Sequence, residues 1–195
     1  RSIAGGGDWD GDGYLDLAVS NTGTGEEPIG YSSLEFYQGG PNGISTNPFK
    51  TEQILTAGKL YGQDIEWVGD IDNDGRDDLL VSELYSSTGV YHSGEIHWWS
   101  GHEDGYLFKR GFVTGTYANA HFGYNIEAAG DINQDGNDDF LVMSLGSSSN
   151  YNGKVNIVLG SGGGWDMDQI LAQGSAGEHV GMSLLAGMDL DGDGM

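Results

Sequence analysis

The sequence has no cysteine and only three prolines. Without cysteine no disulfide can staple the fold, and neither thiolate chemistry nor a Cys-ligated zinc site is available. Animal secreted domains of this size often carry disulfides, so an exported prokaryotic protein fits the absence better. Basic residues are scarce as well: 7 Lys and Arg stand against 30 Asp and Glu, a net charge of −23. Nucleic acid and anionic membrane surfaces would repel such a chain. No apolar run approaches the roughly 20 residues of a membrane span. No signal peptide is recognisable, so any export signal has been removed or lies outside the sequence. There is no Asn-x-Ser/Thr sequon either, which removes one support for glycosylation.

What is present in quantity is aspartate and glycine. Glycine accounts for 36 of 195 residues with no collagen period, which points to many tight turns. Carboxylates at this density oppose compaction unless cations neutralise them. The apolar content is ordinary, so a folded domain with a real core is expected.

The aspartates are arranged in a repeat. GDWDGDGYLDLAVS begins at Gly7, GDIDNDGRDDLLVS at Gly69, GDINQDGNDDFLVMS at Gly130 and the shorter GMDLDGDGM at Gly187. Their first aspartates, Asp8, Asp70, Asp131 and Asp189, lie 62, 61 and 58 residues apart. Ending eight residues before each of the last three is an apolar or aromatic residue followed by Gly: Tyr61-Gly62, Phe122-Gly123 and Val180-Gly181. Downstream, alternating runs close on Gly39, Gly101 and Gly160, and a further apolar segment completes each period. Every period thus offers four short strand-like runs with turn chemistry between them, and the Asp-rich loop joins the first run to the second. Four-stranded units repeated along a chain predict an all-β fold, a β-propeller segment of about three blades plus a partial one. The expected repeat units are 1–61, 62–122, 123–180 and the truncated 181–195, together one partial propeller over 1–195. Because propellers use roughly four to eight blades, the chain is expected to be part of a longer propeller or to assemble with copies of itself.

Within each loop, positions 1, 3, 5 and 9 carry oxygen donors and position 6 is Gly. Loop one supplies Asp8, Asp10, Asp12 and Asp16, loop two Asp70, Asp72, Asp74 and Asp78, and loop three Asp131, Asn133, Asp135 and Asp139. Position 7, occupied by Tyr14, Arg76 and Asn137, would add a backbone carbonyl. The fourth copy offers Asp189, Asp191 and Asp193 and stops before its ninth position. Hard oxygen donors on alternate residues converge on one cation when the backbone curls around it, and calcium suits a flexible multi-carboxylate site better than magnesium. The loop departs from the helical calcium hand. Where that motif needs a bidentate Glu at position 12, this chain has Val19, Val81 and Val142 in apolar strand-like runs. Asp at position 9 must close the shell instead, and three full loops with one truncated are expected to bind Ca2+. Plain solvated Asp-Gly turns would not explain three copies that agree position by position.

Tyr61-Gly62, Phe122-Gly123 and the three full loops resemble the FG-GAP repeat of integrin α-subunit propellers and of bacterial and archaeal exported proteins. The resemblance covers essentially the whole chain. The Gly-Ala-Pro part is replaced by Ser20-Asn21-Thr22, Ser82-Glu83-Leu84 and Ser144-Leu145-Gly146. It implies a propeller, usually extracellular or at the cell surface, with calcium in a hairpin at one end of each blade.

Strand alternation places the loops Asn21–Tyr31, Glu83–Ser93, Gly146–Gly153, Thr114–His121 and Gln173–His179 at the opposite end. There Tyr31, Tyr85, Tyr91 and Tyr151 are candidate platforms for a protein or glycan ligand, although surface loops favour such residues anyway. Trp98 aligns with Phe36 and Ile157 on an apolar face and is expected in the core, whereas the face of Trp99 is open. His97 aligns with Glu35 and Asn156 and is expected to be solvated. His92, His102, His121 and His179 are dispersed, and no catalytic triad, HExxH or nucleotide loop is present. The function expected is non-enzymatic adhesion or molecular recognition with structural calcium. The alternatives are an accessory or catalytic propeller of a carbohydrate-active enzyme, and a sugar-binding lectin.

Overall fold

The computed structural model describes residues 2–22, 31–55, 58–102, 105–146, 152–175, 178 and 180–186. Its twelve strands form three four-stranded antiparallel sheets, each paired in sequence order. Blade one holds β1 (Ile3–Gly7), β2 (Asp16–Asn21), β3 (Tyr31–Tyr37) and β4 (Lys50–Leu55). Blade two holds β5 (Tyr61–Trp67), β6 (Leu79–Glu83), β7 (Glu95–Ser100) and β8 (Phe108–Thr114). Blade three holds β9 (Asn125–Gly130), β10 (Asp139–Ser144), β11 (Lys154–Ser161) and β12 (Gly164–Gln173). The chain is an all-β, propeller-like segment, and each Asp-rich loop spans the first two strands of its blade.

The sheets pack face to face, and side-chain alternation decides which face meets which neighbour. Blade two has a blade on either side. From it Leu79, Val81 and Trp99 join Trp9, Leu34 and Phe36 of blade one. Leu80, Ile96 and Trp98, the next residues in the alternation, join Phe140, Val142 and Val158 of blade three. β6 and β7 are therefore buried at every position, as expected of strands covered on both faces. Trp98 lies in the core as expected. Trp99 belongs to the opposite core, where its indole N–H donates to the Tyr61 hydroxyl at 3.0 Å. The expectation for His97 is corrected. It shares the Trp99 face, is 3% exposed, and lies between Glu83 and Glu95.

The aromatic–Gly pairs mark where one blade passes into the next. Gly62 and Gly123 have φ of 74° and 87°, a conformation that a side chain disfavours. A β-carbon on Gly123 would also lie 2.9 Å from Cγ1 of Ile96. Glycine is needed there because the incoming strand runs against the preceding blade.

The inner strands add a polar seam. The Ile126 amide of blade three donates to Asp64 Oδ2 of blade two at 2.7 Å, and the Asp64 amide donates to Ser82 Oγ at 2.8 Å. Burial raises Asp64 to about 6. Glu66 rises to about 7, chiefly through burial, with the Glu127 and Asp64 carboxylates adding to it. The unfolded chain loses the Glu66 proton near its usual pKa of about 4.3. As pH rises between that value and about 7 the folded state holds more protons, so Glu66 lowers stability progressively across this window. With calcium saturating, Glu66→Gln is expected to be more stable than the parent by about 1 kcal/mol at pH 8, after discounting for partial exposure. The two should converge near pH 4, and urea unfolding at several pH values measures the difference.

Candidate metal-binding loops

The three full loops fold in one way. The first aspartate turns back over its own loop and accepts two backbone amides. Asp8 Oδ1 and Oδ2 accept from Asp12 and Gly13 at 3.0 and 2.9 Å. Asp70 accepts from Asp74 and Gly75 at 2.9 and 2.6 Å, and Asp131 from Asp135 and Gly136 at 3.0 and 2.8 Å. The fifth residue then accepts from the amide of the seventh: Asp12 from Tyr14, Asp74 from Arg76 and Asp135 from Asn137. Gly13, Gly75 and Gly136 have φ of 86°, 87° and 90°, which accounts for Gly at position 6. Position 4 is left-handed as well, in Gly11, Asn73 and Gln134. The sequence offered a clue to this only in the first two, because Gly and Asn tolerate that conformation well.

The ninth aspartate comes from the start of the second strand and is buried: Asp16 is 2% exposed, Asp78 0% and Asp139 0%. Asp16 accepts the amides of Trp9 and Gly39 at 3.2 and 2.7 Å. Asp139 likewise accepts those of Ile132 and Gly160 at 2.9 Å each. The closing glycines of the third strands thus lie beside these carboxylates.

Asp8, Asp10 and Asp16 bring one oxygen each within 4.8 Å of one another, as do Asp70, Asp72 and Asp78. These groups can hold a metal ion. Asp12 and Asp74 do not join the sets, and Tyr14 is half exposed at its edge. Loop three has the same backbone pattern, with Asn133 in place of the second carboxylate. The Asn133 and Asn137 side-chain amides donate to Asp135 at 2.9 and 2.8 Å and hold its carboxyl below the usual range. Asp189, Asp191 and Asp193 lie outside the described residues.

The residues fit a cation on two grounds. Asp72 Oδ1 is buried with no hydrogen-bond partner, an expensive arrangement for an oxygen that nothing coordinates. Asp78 Oδ1 is in the same state; the Trp98 indole N–H is close enough to stabilise it but makes no hydrogen bond of proper geometry. Burial also pushes Asp16 up to about 7 and Asp78 up to about 8. Carboxylates held this way favour either a proton or a metal ion.

The loops also join the blades. Asp77 Oδ2 accepts the Asp8 amide at 2.8 Å, and its own amide donates to the Asp8 carbonyl at 3.3 Å. Asp138 forms the same reciprocal pair with Asp70, at 2.8 and 2.9 Å. Position 8 of loops two and three therefore clasps position 1 of the loop before it. In loop one that position is Leu15, which is 62% exposed.

A family model described as an FG-GAP-like repeat matches residues 8–81. Residues 8–81 form an FG-GAP-like repeat. Related proteins are integrin alpha pat-2 of Caenorhabditis briggsae, 28% identical over 166 residues, and integrin alpha pat-2 of Caenorhabditis elegans, 27% identical over 166 residues. Each alignment covers 74% of this chain and 13% of the relative. Integrin alpha-8 of Gallus gallus is 31% identical over 132 residues, covering 65% of this chain and 12% of the relative. The chain thus spans about an eighth of the length of the relatives it matches. All three are animal proteins, so they lend no support to the prokaryotic origin expected from the missing cysteines. Among the described residues no helix is long and apolar enough to cross a membrane.

Glu83, Glu95 and His97 form another group of possible ligands, buried within blade two. His97 Nε2 is 3.0 Å from Glu83 and 3.2 Å from Glu95. Lys59 is 3.4 Å from Glu83, and Ser86 Oγ donates to Glu95 at 2.8 Å. These carboxylates are already partnered by protein.

Removing a clasp tests its contribution. With calcium saturating, Asp138→Ala leaves the Asp70 amide without its acceptor and is expected to cost about 1–2 kcal/mol in urea unfolding. Leu15→Ala removes no clasp and should stay within about 0.5 kcal/mol.

Proposed function

We propose that the chain is a calcium-binding, extracellular β-propeller module for adhesion or molecular recognition, in which calcium is structural and not catalytic. The observation that carries this reading is the single loop geometry found in three copies, each backed by a buried ninth aspartate. Ca2+ would be held by Asp8, Asp10 and Asp16 and by Asp70, Asp72 and Asp78, whose oxygens already converge, and by Asp131, Asn133 and Asp139 in loop three, with Asp12, Asp74, Asp135 and the position-7 carbonyls moving in to complete the shells. Its chemistry there is charge neutralisation: it allows carboxylates that otherwise repel one another to lie buried and ionised. The FG-GAP-like match and the integrin relatives support the same reading.

A protein or glycan ligand would take the loop face away from calcium. Tyr31, Tyr85 and Tyr91 are exposed there. The fold also gathers histidines that are far apart in sequence: the His92 ring lies 3.9 Å from Tyr91 and 5.0 Å from Tyr85, and His121 lies 5.1 Å from Tyr85. Tyr151 and His179 lie outside the described residues. The module would be an arc of a larger propeller, completed by further sequence or by copies of the chain. Support comes from Ile132, which is 52% exposed in blade three, whereas its counterpart Ile71 is fully buried against the neighbouring blade.

Calcium modules outside the cell bind at about 10⁻⁴–10⁻³ M. At tenfold excess each site would contribute about 1.4 kcal/mol. Three sites are then expected to raise the melting temperature by roughly 10 °C, and a chelator should reverse the rise. Asp78→Ala should remove about a third of it. An unchanged melt, with no calcium found by elemental analysis, would sink the proposal.

A further inference from the structure

At the end away from the acidic loops, blades two and three each have a slot between the second, third and fourth strands and the segment arriving from the blade before. In blade two this slot is filled. Lys59 and Tyr61 enter from the connecting segment and meet Glu83, Glu95 and His97, with the Tyr61 and His97 rings 4.9 Å apart. Strand register identifies the equivalents in blade three. Glu83 pairs with Glu95 and Val81 with His97, whereas Ser144 pairs with Lys154 and Val142 with Asn156. Ser144, Lys154 and Asn156 therefore occupy the places of Glu83, Glu95 and His97. Counting from the aromatic–Gly pairs, Ala120 and Phe122 stand for Lys59 and Tyr61.

These exchanges open the slot and invert its charge. The incoming lysine becomes an alanine, one glutamate becomes a serine and the other becomes a lysine. What results is a pocket of about 280 Å³ whose lining includes Ser144, Lys154, Asn156, Tyr117, Asn152 and Gln173. Lys154 Nζ lies 5.9 Å over the Tyr117 ring. Among the described residues no carboxylate pairs with it, in a chain with 30 acidic and 7 basic residues. Burial pulls its pKa down, which an anion in the pocket would offset.

We propose that this pocket binds the acidic sugar unit of a glycan, with the sugar carboxylate on Lys154, the C–H face of the ring on Tyr117, and the hydroxyls on Asn152, Gln173 and Ser144. The proposal rests on the recognition reading above for the choice of face and goes further by naming the ligand class. A sugar is favoured over an acidic peptide side chain because the lining sets the hydroxyls of Thr116 and Ser144 and the amides of Asn152, Asn156 and Gln173 beside the apolar Ala120, Phe122 and Ile170. These match a ring of hydroxyl groups, whereas a peptide carboxylate would use the lysine alone. The size agrees, since ligand pockets start near about 300 Å³ and one ring suffices to fill this one. The exposed Tyr117, at 60%, leaves the rim accessible to the rest of a glycan.

The test uses the full chain in saturating calcium, with binding followed by calorimetry and by saturation-transfer NMR. The probes are glucuronate and galacturonate, the neutral sugars glucose and galactose, and N-acetylaspartate as a carboxylate that is not a sugar. Millimolar binding is expected for at least one uronate, at least tenfold weaker for its neutral counterpart and for N-acetylaspartate. Lys154→Met should reduce uronate binding at least tenfold without changing the calcium-dependent melt. Tyr117→Ala, at an exposed position that spares the fold, should weaken it at least threefold. Equal binding of neutral sugar, equal binding of N-acetylaspartate, or no uronate binding overturns the proposal. The melting response to calcium needs no ligand, so failure here is separable from failure of the calcium reading.

Discussion

The structure depends on where its negative charge is placed. A net charge of −23 resists compaction, yet the carboxylates are concentrated where the blades meet. Each of the three described Asp-rich loops wraps its backbone amides around its first aspartate, presents a second carboxylate or carboxamide, and backs onto a ninth that is buried. The peptide groups of Asp8 and Asp70 are then clasped by the eighth residue of the next loop. On the proposed reading, a bound cation would turn this crowding into cohesion. Without one, the same oxygens are left with raised pKa values and missing partners, of which Asp72 and Asp78 are the clearest cases. The apolar cores between blades supply the bulk of the packing, but they share their junctions with these charged loops.

The antiparallel blade divides the work between its two ends. Turns between first and second strands carry the acidic loops, which keep one backbone geometry in all three described blades. Turns between second and third strands, with the blade-to-blade connections, are free to differ, and they do. Blade two fills its slot with Lys59, Tyr61, Glu83, Glu95 and His97, while blade three leaves its slot open around Lys154. One backbone thus yields a closed polar cluster in one blade and a pocket in the next, through side-chain exchanges at matching positions.

Much of this was legible in the sequence because the loop repeats. Gly at position 6, Asp at position 9 and the Phe-Gly type pair each recur, and each has a backbone reason that survives without coordinates. Period-2 alternation located the strands, but it could not say that both faces of blade two are covered. Hence His97, polar and aligned with Glu35 and Asn156, read as solvated although it is buried against Tyr61. The clasp was invisible for a different reason. It joins residues 69 and 68 apart, and the first copy has Leu15 where the others have Asp77 and Asp138. His92 and His121 looked dispersed because only the turn after β6 and the connection after β8 bring them together.

The central claim is that cations in the acidic loops hold neighbouring blades together. It is tested most directly by amide hydrogen exchange at Asp8, Asp77, Asp70 and Asp138, with calcium and with a chelator. The account predicts strong protection of these junction amides in calcium and its loss on chelation, before the strand amides at the centre of blade two begin to exchange. Equal protection in both conditions would mean that the clasps close without a cation, and would contradict it.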